Sequence, residues 1–581
     1  MAEVTAPAPA DRDLASVAEA RLLAREAKTA QLTLAEFSQA QVDAIVDRAA
    51  AAATAHAEEI AALAVEETGY GVVADKIQKN LFASQRVHAF IRPMCTVGIV
   101  RRLEDRKVVE IAEPFGVVAA VVPSTNPTST AIYKMLIALK ARCAIVLSPH
   151  PAAVRCIIRA AELMEAAARE AGAPAGAIGW MRTVTIEGTQ ELMKHRDVAV
   201  ILATGGMGLV RAAYSAGKPA YGVGPGNAPA YIEESADIEK AVRDIITGKT
   251  FDNGVLCSAE NAVVVDASIE SRVRQTFQAM GAHFLSPSEI DLVGRVLVTA
   301  QRLPNPALVG KPATAVAEQS GVTVSAGTTV LIAALAGVGR DYPLSIEKLC
   351  PVLSYYIVKD WREGCERCKE ILRYGGMGHT MAIHSRNDEV ILQFGLHKPA
   401  NRIVVNTPTT HGSIGLTTGL DPAMTLGCGG FGGNITSDNI SPLHLLNIKR
   451  LAYETQAAAA RPEIANAARM ASATSTPRLG TTQTPRLPTA PAVERGLDAA
   501  VLADRIDAFL AARGIQPAAG PSAAPAEPLP SSNEEQEAAP FVCEDDVRQA
   551  LKSGRKIRLA PRAIVTPAAR ELAETHRVFL E

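Results

Sequence analysis

Residues 115–171 read FGVVAAVVPSTNPTSTAIYKMLIALKARCAIVLSPHPAAVRCIIRAAELMEAAAREA, and this stretch decides the fold class. Short apolar runs alternate in it with longer segments of helical periodicity. In this stretch and the residues that follow it, the predicted strands are at 115–123, 144–147 and 198–203, with another within 178–186. The predicted helices are at 128–142, 153–171 and 190–195. Such alternation predicts an α/β fold, a doubly wound parallel sheet that binds a dinucleotide at the carboxyl ends of its strands.

The composition of the chain excludes several classes of protein. The formal net charge of −2 provides no overall attraction to nucleic acid or acidic lipid. The first residues lack the pattern of a secretory signal, and no apolar run approaches the ~20 residues of a membrane helix. Nine singly spaced cysteines indicate reduced thiols in the cytoplasm. One C-x-x-C pair, Cys365 and Cys368, has no second pair to complete a zinc site, so we predict no metal.

The composition changes sharply beyond Tyr453. Segments rich in Ala and Pro predict linkers, and between them one segment has an apolar helical face. The predicted parts are a linker at 457–496, an amphipathic helix at 497–515, a second linker at 516–540 and a small module at 541–581. In that module, Thr566 is predicted to cap a helix that begins at Pro567.

Cys257 is the candidate nucleophile. It lies in FDNGVLCSAENAVVV, between a glycine-containing turn and a β-rich run. A reactive thiolate needs a partly exposed position near polar donors, which such a turn can provide. For any single cysteine, a buried structural role is the alternative. The segments that accompany Cys257 decide between a catalytic and a structural role.

Five further segments, in order along the chain, carry a family resemblance together with Cys257. They are VVPSTNP at 121–127, ILATGGMGLVRAAYSAGKP at 201–219, YGVGPGNAP at 221–229, IEKLCPVLSYY at 346–356, and a group comprising GMGHTMAIHS, NRIVVNTPTTHGSIG and TLGCGGFGGNITSDNISPLHLLNIKRLA within 376–452. Over about residues 12–455, the chain resembles the aldehyde dehydrogenase superfamily. Several of these segments are similar to its CoA-acylating branch, which includes aldehyde dehydrogenases of bacterial microcompartments.

The resemblance implies an architecture for this chain. It consists of a Rossmann-type NAD-binding domain, an α/β catalytic domain and an oligomerisation hairpin, followed by a partly disordered C-terminal extension. The implied divisions are helices of the NAD-binding domain at 1–95, the hairpin at 96–112, the rest of the NAD-binding domain at 113–227, the catalytic domain at 228–430 and a return to the oligomerisation and NAD-binding region at 431–456. Two β-rich runs on either side of residues 104–106 independently predict the hairpin.

The resemblance also implies the roles of individual residues. Cys257 attacks the aldehyde, and the side-chain amide of Asn126 with the Cys257 backbone N–H holds the resulting oxyanion, although Asn-Pro also simply begins a turn. The residues expected to bind NAD are Pro123, Ser124, Thr125, Ser148, His150, Thr204, Gly205, Gly206, Gly222, Val223, Gly224, Glu347 and Leu349. The residues expected to line the substrate pocket are Thr128, Cys428 and Gly429.

The acyl acceptor follows from a missing acid. Hydrolytic family members carry a water-activating glutamate where this chain has Gly222, and no acid lies between Arg211 and Ile232. Water without a general base is a slow acceptor, whereas a thiol is a strong nucleophile, so coenzyme A is the expected acceptor. Glu233 and Glu260 are the nearest acids and leave open that one folds back.

His379 has two interpretations. It is a possible proton acceptor, but a packing role is favoured because nothing in the sequence pairs it with Cys257.

The expected function is oxidation of a short-chain aldehyde, propionaldehyde before acetaldehyde, to acyl-CoA with NAD. A hydrolytic aldehyde dehydrogenase and a non-catalytic shell scaffold are the alternatives. The 497–515 helix resembles encapsulation peptides and has a polar face of mixed charge, so a microcompartment shell protein is the expected partner rather than a membrane; packing back on the enzyme is the alternative. We expect a homodimer or dimer of dimers, located in the bacterial cytoplasm within a microcompartment.

Overall fold

The computed structural model describes residues 11–458 and, with short gaps, 539–580. The chain divides into two compact units, Met1–Ala460 and Arg461–Glu581. The predicted helix at 497–515 lies outside the described residues, and so do nearly all of the linkers predicted at 457–496 and 516–540.

Helices open the first unit. They are α1 (Arg12–Ala35), α2 (Gln39–Ala55), α3 (Ala57–Thr68), α4 (Val73–Leu81) and α5 (His88–Ile91), with a π-helical turn at Phe82–Val87 between the last two. Ser38 caps α2 through a capping box with Gln41, and Gly69 ends α3 in the left-handed conformation. The alanine-rich faces of these helices are buried in the core of the first sheet.

The sheet predicted from residues 115–203 is present and has five parallel strands. In sequence order they are β3 (Val117–Val122), β4 (Ile145–Pro149), β5 (Ile178–Trp180), β6 (Val198–Thr204) and β7 (Ala220–Val223), and their order in the sheet is β5-β4-β3-β6-β7. The helices between them are α6 (Pro127–Lys140), α7 (Val154–Glu170), α8 (Ile186–Lys194) and α9 (Met207–Tyr214). Strand order reverses between β3 and β6, and at such a point the carboxyl ends of the strands form a ligand-binding crevice.

A second parallel sheet has seven strands. These are β8 (Ala228–Ile232), β9 (Glu260–Asp266), β10 (Ala282–Phe284), β11 (Val330–Ala334), β12 (Val352–Val358), β13 (Gly378–His384) and β14 (Ala400–Val405), in the order β10-β11-β12-β9-β8-β13-β14. Its helices are α10 (Ile238–Thr250), α11 (Glu270–Ala279), α12 (Pro287–Leu297), α13 (Ala313–Gln319), α14 (Trp361–Tyr374), α15 (Asp388–Leu396) and α16 (Thr409–Ser413). The strands are almost wholly buried, as expected for a parallel sheet covered on both faces.

The predicted hairpin is confirmed and gains a third strand. β1 (Gly98–Leu103) pairs antiparallel with β2 (Val108–Pro114), whose other edge pairs with β15 (Leu446–Ala452). The Glu110 carboxylate on β2 accepts a hydrogen bond from Arg101 on β1 at 2.9 Å and from Arg450 on β15 at 3.1 Å. This central acid therefore links all three strands.

The second unit contains a small fold of its own. β16 (Ala539–Val542), β17 (Ile557–Val565) and β18 (Phe579–Leu580) form a parallel sheet in that order, and Glu544–Ser553 forms α17. Buried apolar side chains, among them Val547 and Val578, make its core. The predicted cap at Thr566 and Pro567 lies outside the described residues. Among the described residues, none of the helices has the length and hydropathy needed to span a membrane.

Candidate active site

Cys257 faces a histidine. The cysteine is half-buried in the loop before β9, and His379 is the second residue of β13 and completely buried. The His379 Nε2 atom lies 3.2 Å from the Cys257 Sγ atom, and His379 Nδ1 lies 3.0 Å from the Thr380 hydroxyl oxygen. In the tautomer that leaves Nε2 free to accept the thiol proton, Nδ1–H donates to the Thr380 hydroxyl. The packing role that the sequence favoured for His379 was therefore incomplete, because the side chain contacts the nucleophile.

Both members of this pair are neutral at rest. Burial, with the nearby Glu347 and Cys428, raises the pKa of Cys257 to about 12, against a smaller opposing effect of Arg402. Burial and the Arg402 charge lower the pKa of His379 to about 3. A permanent thiolate–imidazolium pair is thus disfavoured, and a nucleophilic reaction of this sulfur would require the thiol to lose its proton in the same step.

A glycine allows three parts of the site to meet. A Cβ atom on Gly226 would lie 1.9 Å from the Cys257 carbonyl oxygen and 3.4 Å from the His379 ring. The Gly226 N–H donates to a carboxylate oxygen of Glu347 at 3.0 Å. Burial raises the pKa of Glu347 to about 8. Gly226 therefore joins the nucleophile loop to the acid expected at the cofactor ribose.

Asn126 precedes α6 and is half-buried at the carboxyl end of β3. Its side-chain oxygen accepts a hydrogen bond from the Lys79 ammonium at 2.7 Å. Its amide nitrogen lies 3.3 Å from the Thr125 hydroxyl. The amide oxygen is therefore occupied, and the nitrogen is the end that can donate to a further acceptor.

The strand-to-helix turns of the first sheet fit a dinucleotide. Thr204, Gly205 and Gly206 connect β6 to the N-terminus of α9, where an added Cβ on Gly206 would meet nothing within 4 Å. The Thr204 hydroxyl is buried without a hydrogen-bond partner in the described part of the chain. Open glycine backbone at a helix N-terminus can approach a phosphate, and the unpaired hydroxyl adds a donor. The residues present therefore suit the expected cofactor.

The other residues expected at the cofactor occupy different environments. Gly222 and Gly224 approach α9 closely, since Cβ atoms there would lie 2.9 Å from Val210 and Met207, and the Val223 carbonyl accepts the Gly205 N–H. The two glycines thus let α9 lie close to β7, and Val223 joins that strand to the turn before α9. Glu347 and Leu349 are half-buried, and Leu349 has a left-handed φ of 52°.

The residues after β3 and β4 complete the expected set. Pro123, Ser124 and Thr125 follow β3 directly. Ser148 is completely buried, and its hydroxyl lies 2.8 Å from that of Thr189, whereas His150 is exposed at the end of β4. The structure therefore places His150, but not the Ser148 hydroxyl, where a bound ligand is accessible.

The three expected substrate residues also differ. The Thr128 hydroxyl is buried and donates to Asn80 at 2.7 Å, so it supports the contact between α4 and α6 rather than offering a free donor. Cys428 is buried, and its proximity contributes to the raised pKa of Cys257. Gly429 has a left-handed φ of 57°, and a Cβ there would lie 2.8 Å from the Asn401 side chain. Cys428 is therefore the one of the three that the electrostatics connect to the nucleophile.

The two acids left open by the sequence are both engaged in hydrogen bonds around the second sheet. Glu233 follows β8, and its carboxylate accepts hydrogen bonds from Ser235 and Ser385. Since Ala228 pairs with Glu260 at the start of the strands, Glu233 is five residues, about 17 Å, further along the sheet. Glu260 is completely buried and accepts the Thr409 N–H at 2.6 Å. Glu233 is thus remote from Cys257 along the sheet, and one oxygen of Glu260 is occupied by the Thr409 backbone.

Sequence reasoning missed three residues of this site. Lys79 contacts Asn126, Gly226 contacts the nucleophile loop, and the buried Arg402 places its charge near Cys257. Arg402 is held by the carbonyls of Gly378 and Gly427. A signal was present, because a buried arginine in the apolar strand sequence NRIVVN is unusual.

Comparisons with known proteins point to one family. Residues 4–284 match the model of the "Aldehyde dehydrogenase family". The chain is 42% identical over 446 residues to a bifunctional aldehyde-alcohol dehydrogenase of Escherichia coli K12, covering 76% of this chain and 50% of that protein. It is 38% identical over 431 residues to a succinate-semialdehyde dehydrogenase (acetylating) of Clostridium kluyveri, covering 74% of this chain and 95% of that protein. The chain thus spans about half the length of the bifunctional relatives but nearly all of the acetylating one.

Solved structures show the same relationship. An acetylating aldehyde dehydrogenase from Geobacillus thermoglucosidasius is 49% identical, with a TM-score of 0.77, and the match covers 78% of this chain and 100% of that one. A propionaldehyde dehydrogenase from the Clostridium phytofermentans fucose utilisation bacterial microcompartment is 28% identical, with a TM-score of 0.68, covering 75% of this chain and 97% of that one. The resemblance read from the sequence is confirmed at the level of the fold.

Proposed function

Since the chain belongs to the aldehyde dehydrogenase family, we propose that it converts a short-chain aldehyde to an acyl-CoA, with NAD as oxidant and coenzyme A as acyl acceptor. The observation that carries this proposal is the contact of the Cys257 thiol with a proton acceptor, His379, at 3.2 Å. The site can therefore form a thioester on sulfur and assist its transfer to another thiol. The acetylating relatives support the same acceptor.

The first step forms a carbon–sulfur bond. As the Cys257 sulfur adds to the aldehyde carbon, its proton passes to Nε2 of His379, and Nδ1–H keeps its hydrogen bond to Thr380. The carbonyl oxygen becomes an oxyanion, which the Asn126 amide and the Cys257 backbone N–H would bind. Donors already in position typically lower such a barrier by about 3–4 kcal/mol each.

The second step is an oxidation. Gly205, Gly206 and Glu347 would hold the NAD, which when bound supplies the hydride acceptor. Loss of hydride from the carbon converts the adduct to a thioester on Cys257. Because the pKa of His379 is about 3, its imidazolium then releases the proton to solvent readily.

The third step transfers the acyl group. Neutral His379 accepts the proton of the CoA thiol as that sulfur attacks the thioester, and the collapsing adduct expels the Cys257 thiolate. The thiolate then takes the proton back from His379, which restores the starting pair. One thioester replaces another, so the step is reversible, and the full reaction releases one proton.

We further propose propionaldehyde as the preferred substrate, with acetaldehyde next, and a bacterial microcompartment as the location. Support comes from the similar microcompartment propionaldehyde dehydrogenase and from the separate C-terminal unit. The 497–515 helix would bind a shell protein. The outer edges of β1 and β15 would join subunits as a dimer or a dimer of dimers, since unpaired strand edges favour pairing with another chain.

One assay tests the activity. NADH formation from propionaldehyde, acetaldehyde and succinic semialdehyde is followed with and without CoA, with Cys257→Ala as the control. Turnover that requires CoA supports the proposal. Sustained turnover without CoA would instead indicate a hydrolytic enzyme, and no NADH under either condition would indicate a protein without this activity.

A further inference from the structure

Two lysines and an aspartate are buried together beside the candidate site. Lys76 and Lys79 on α4 and Asp252 in the turn Phe251–Gly254 have exposures of 1%, 2% and 0%. Both ammonium groups donate to the same Asp252 oxygen, Lys76 at 3.0 Å and Lys79 in a shorter contact. We call these three residues the lysine clamp. Burying three charges is costly, so a stabilising role alone does not account for the clamp.

The lysine clamp connects the two halves of the site. Asp252 lies five residues before Cys257 and accepts the Val72 N–H at 2.7 Å. Its backbone is left-handed, with φ of 51°, so the turn is held in an uncommon conformation. From the same cluster, the Lys79 ammonium reaches the Asn126 side-chain oxygen at 2.7 Å. One cluster thus contacts both the nucleophile loop and the amide expected to bind the oxyanion.

The contact with Lys79 determines which way the Asn126 amide faces. An ammonium group can only donate hydrogen bonds, so it pairs with the oxygen of the amide and excludes the NH₂ end. The NH₂ group is then directed away from Lys79. A positive charge on the oxygen also polarises the amide, which makes its N–H groups stronger donors.

We propose that Lys79 is a positioning residue that orients and polarises the Asn126 amide for binding the substrate oxyanion, an inference that rests on the proposed function. Lys76 makes the matched comparison. It is on the same helix, equally buried and bonded to the same Asp252 oxygen, but its second contact is the Thr125 backbone carbonyl, at 3.2 Å. Loss of Lys76 therefore removes the same charge without freeing the Asn126 side chain.

The test uses two reactions of Cys257 in the full-length protein. Aldehyde oxidation, followed as NADH formation, passes through an oxyanion. Alkylation by iodoacetamide uses the same sulfur but displaces iodide at a saturated carbon and forms no oxyanion. Lys79→Met is expected to lower kcat/KM for propionaldehyde about 10- to 100-fold, since removal of a whole oxyanion donor costs about 100- to 1,000-fold. The alkylation rate should stay within about twofold.

A double-mutant cycle shows whether the effect acts through Asn126. In an Asn126→Ala background, Lys79→Met should cost less than about threefold, because the amide to be oriented is already absent. Lys76→Met should retain most of the activity. Lys79→Gln keeps an N–H donor and should lose less than Lys79→Met, which keeps the comparison available if the methionine variant folds poorly.

Several results would overturn the inference. The first is that Lys79→Met slows alkylation as much as aldehyde oxidation. The second is that Lys79→Met lowers kcat/KM equally in the wild-type and Asn126→Ala backgrounds. The third is that Lys76→Met and Lys79→Met lose equal activity. If the wild-type protein forms NADH from aldehyde, these results affect only the role of Lys79. If the wild-type protein forms none, the proposed function fails, and the inference fails with it.

Discussion

The His379 Nε2 atom lies 3.2 Å from the Cys257 Sγ atom, and the two residues are 122 positions apart in the chain. The pair combines a thiol of raised pKa with an imidazole of lowered pKa, so neither carries charge at neutral pH. In this neutral pair the Cys257 sulfur is held as a thiol, which is less reactive than a thiolate. It becomes reactive when a carbonyl carbon is present to receive the sulfur as the proton leaves.

Replacing His379 with alanine is expected to slow both reactions of Cys257. Proton acceptance by a positioned base is typically worth about 100-fold or more, so NADH formation and iodoacetamide alkylation should fall together. His397→Ala, at an exposed position after α15, is the control and should match the wild type. An alkylation rate that is unchanged in the His379 variant would contradict a role in proton transfer.

Stability should depend on acid pH through His379. The unfolded chain binds a proton at this side chain near its usual pKa of 6.5, but the folded chain does so only near 3. The stability of the fold therefore suffers no cost from this side chain above pH 6.5. It falls progressively as the pH is lowered from 6.5 towards 3, because only the unfolded chain takes up the proton. The free energy of unfolding, measured with urea, should fall between pH 6.5 and 5 more steeply in the wild type than in His379→Gln. The difference in slope should be up to about 1.4 kcal/mol per pH unit. Equal slopes would show that His379 is not buried as a neutral group.

Replacing Glu347 with glutamine should have opposite effects on two measurements. Above pH 8, where the Glu347 carboxylate is ionised, the KM for NAD is expected to rise about tenfold, because a hydrogen bond from the ribose to a charged group is lost. Above pH 8, where the wild-type carboxylate is ionised, the variant should be alkylated faster, since the charge of Glu347 raises the pKa of Cys257. Alkylation at about pH 9 gives the second measurement. A slower reaction there would mean that Glu347 assists the thiolate.

Gly226→Ala should disrupt the site. The new Cβ would lie 1.9 Å from the Cys257 backbone oxygen, which cannot move as a flexible side chain can. Overpacking of this kind costs about 1–3 kcal/mol, and the displaced loop should lower kcat about 100-fold or more. At Gly419, an added Cβ meets nothing within 4 Å, so Gly419→Ala is the control. Thermal unfolding and NADH formation measure the two effects, and wild-type kcat in Gly226→Ala would refute the close approach.

Removing residues 457–581 should leave the activity within about twofold of the full chain. The deletion removes no residue of the candidate site, and the last strand of the first unit, β15, ends at Ala452. Copurification with coexpressed shell proteins should be lost because residues 497–515, the segment predicted to bind the shell, are removed. An inactive truncated protein would show that the activity also depends on residues 457–581.

Local sequence patterns predicted four of the five strands of the first sheet and the helices between those four, although α8 begins at Ile186 rather than at residue 190. The spacing of apolar residues over a short segment indicates which of its faces is buried, and no distant residue is needed to recognise it. The same locality placed Thr204, Gly205 and Gly206 at the end of a strand and Asn126 before a helix. Cys257 and Glu347 were found by resemblance, and their roles remain predictions.

Only the tertiary structure decided which of these segments meet. His379 reaches Cys257 because β13 lies beside β8, and β8 lies beside β9. Lys79 reaches Asp252 across 173 positions, and β15 pairs with β2 from the far end of the unit. Strand order and helix docking depend on the packing of the whole chain, and no local periodicity records them. The sequence by itself therefore determined most of the elements and predicted the nucleophile, whereas the side chains that contact Cys257 are decided by long-range packing.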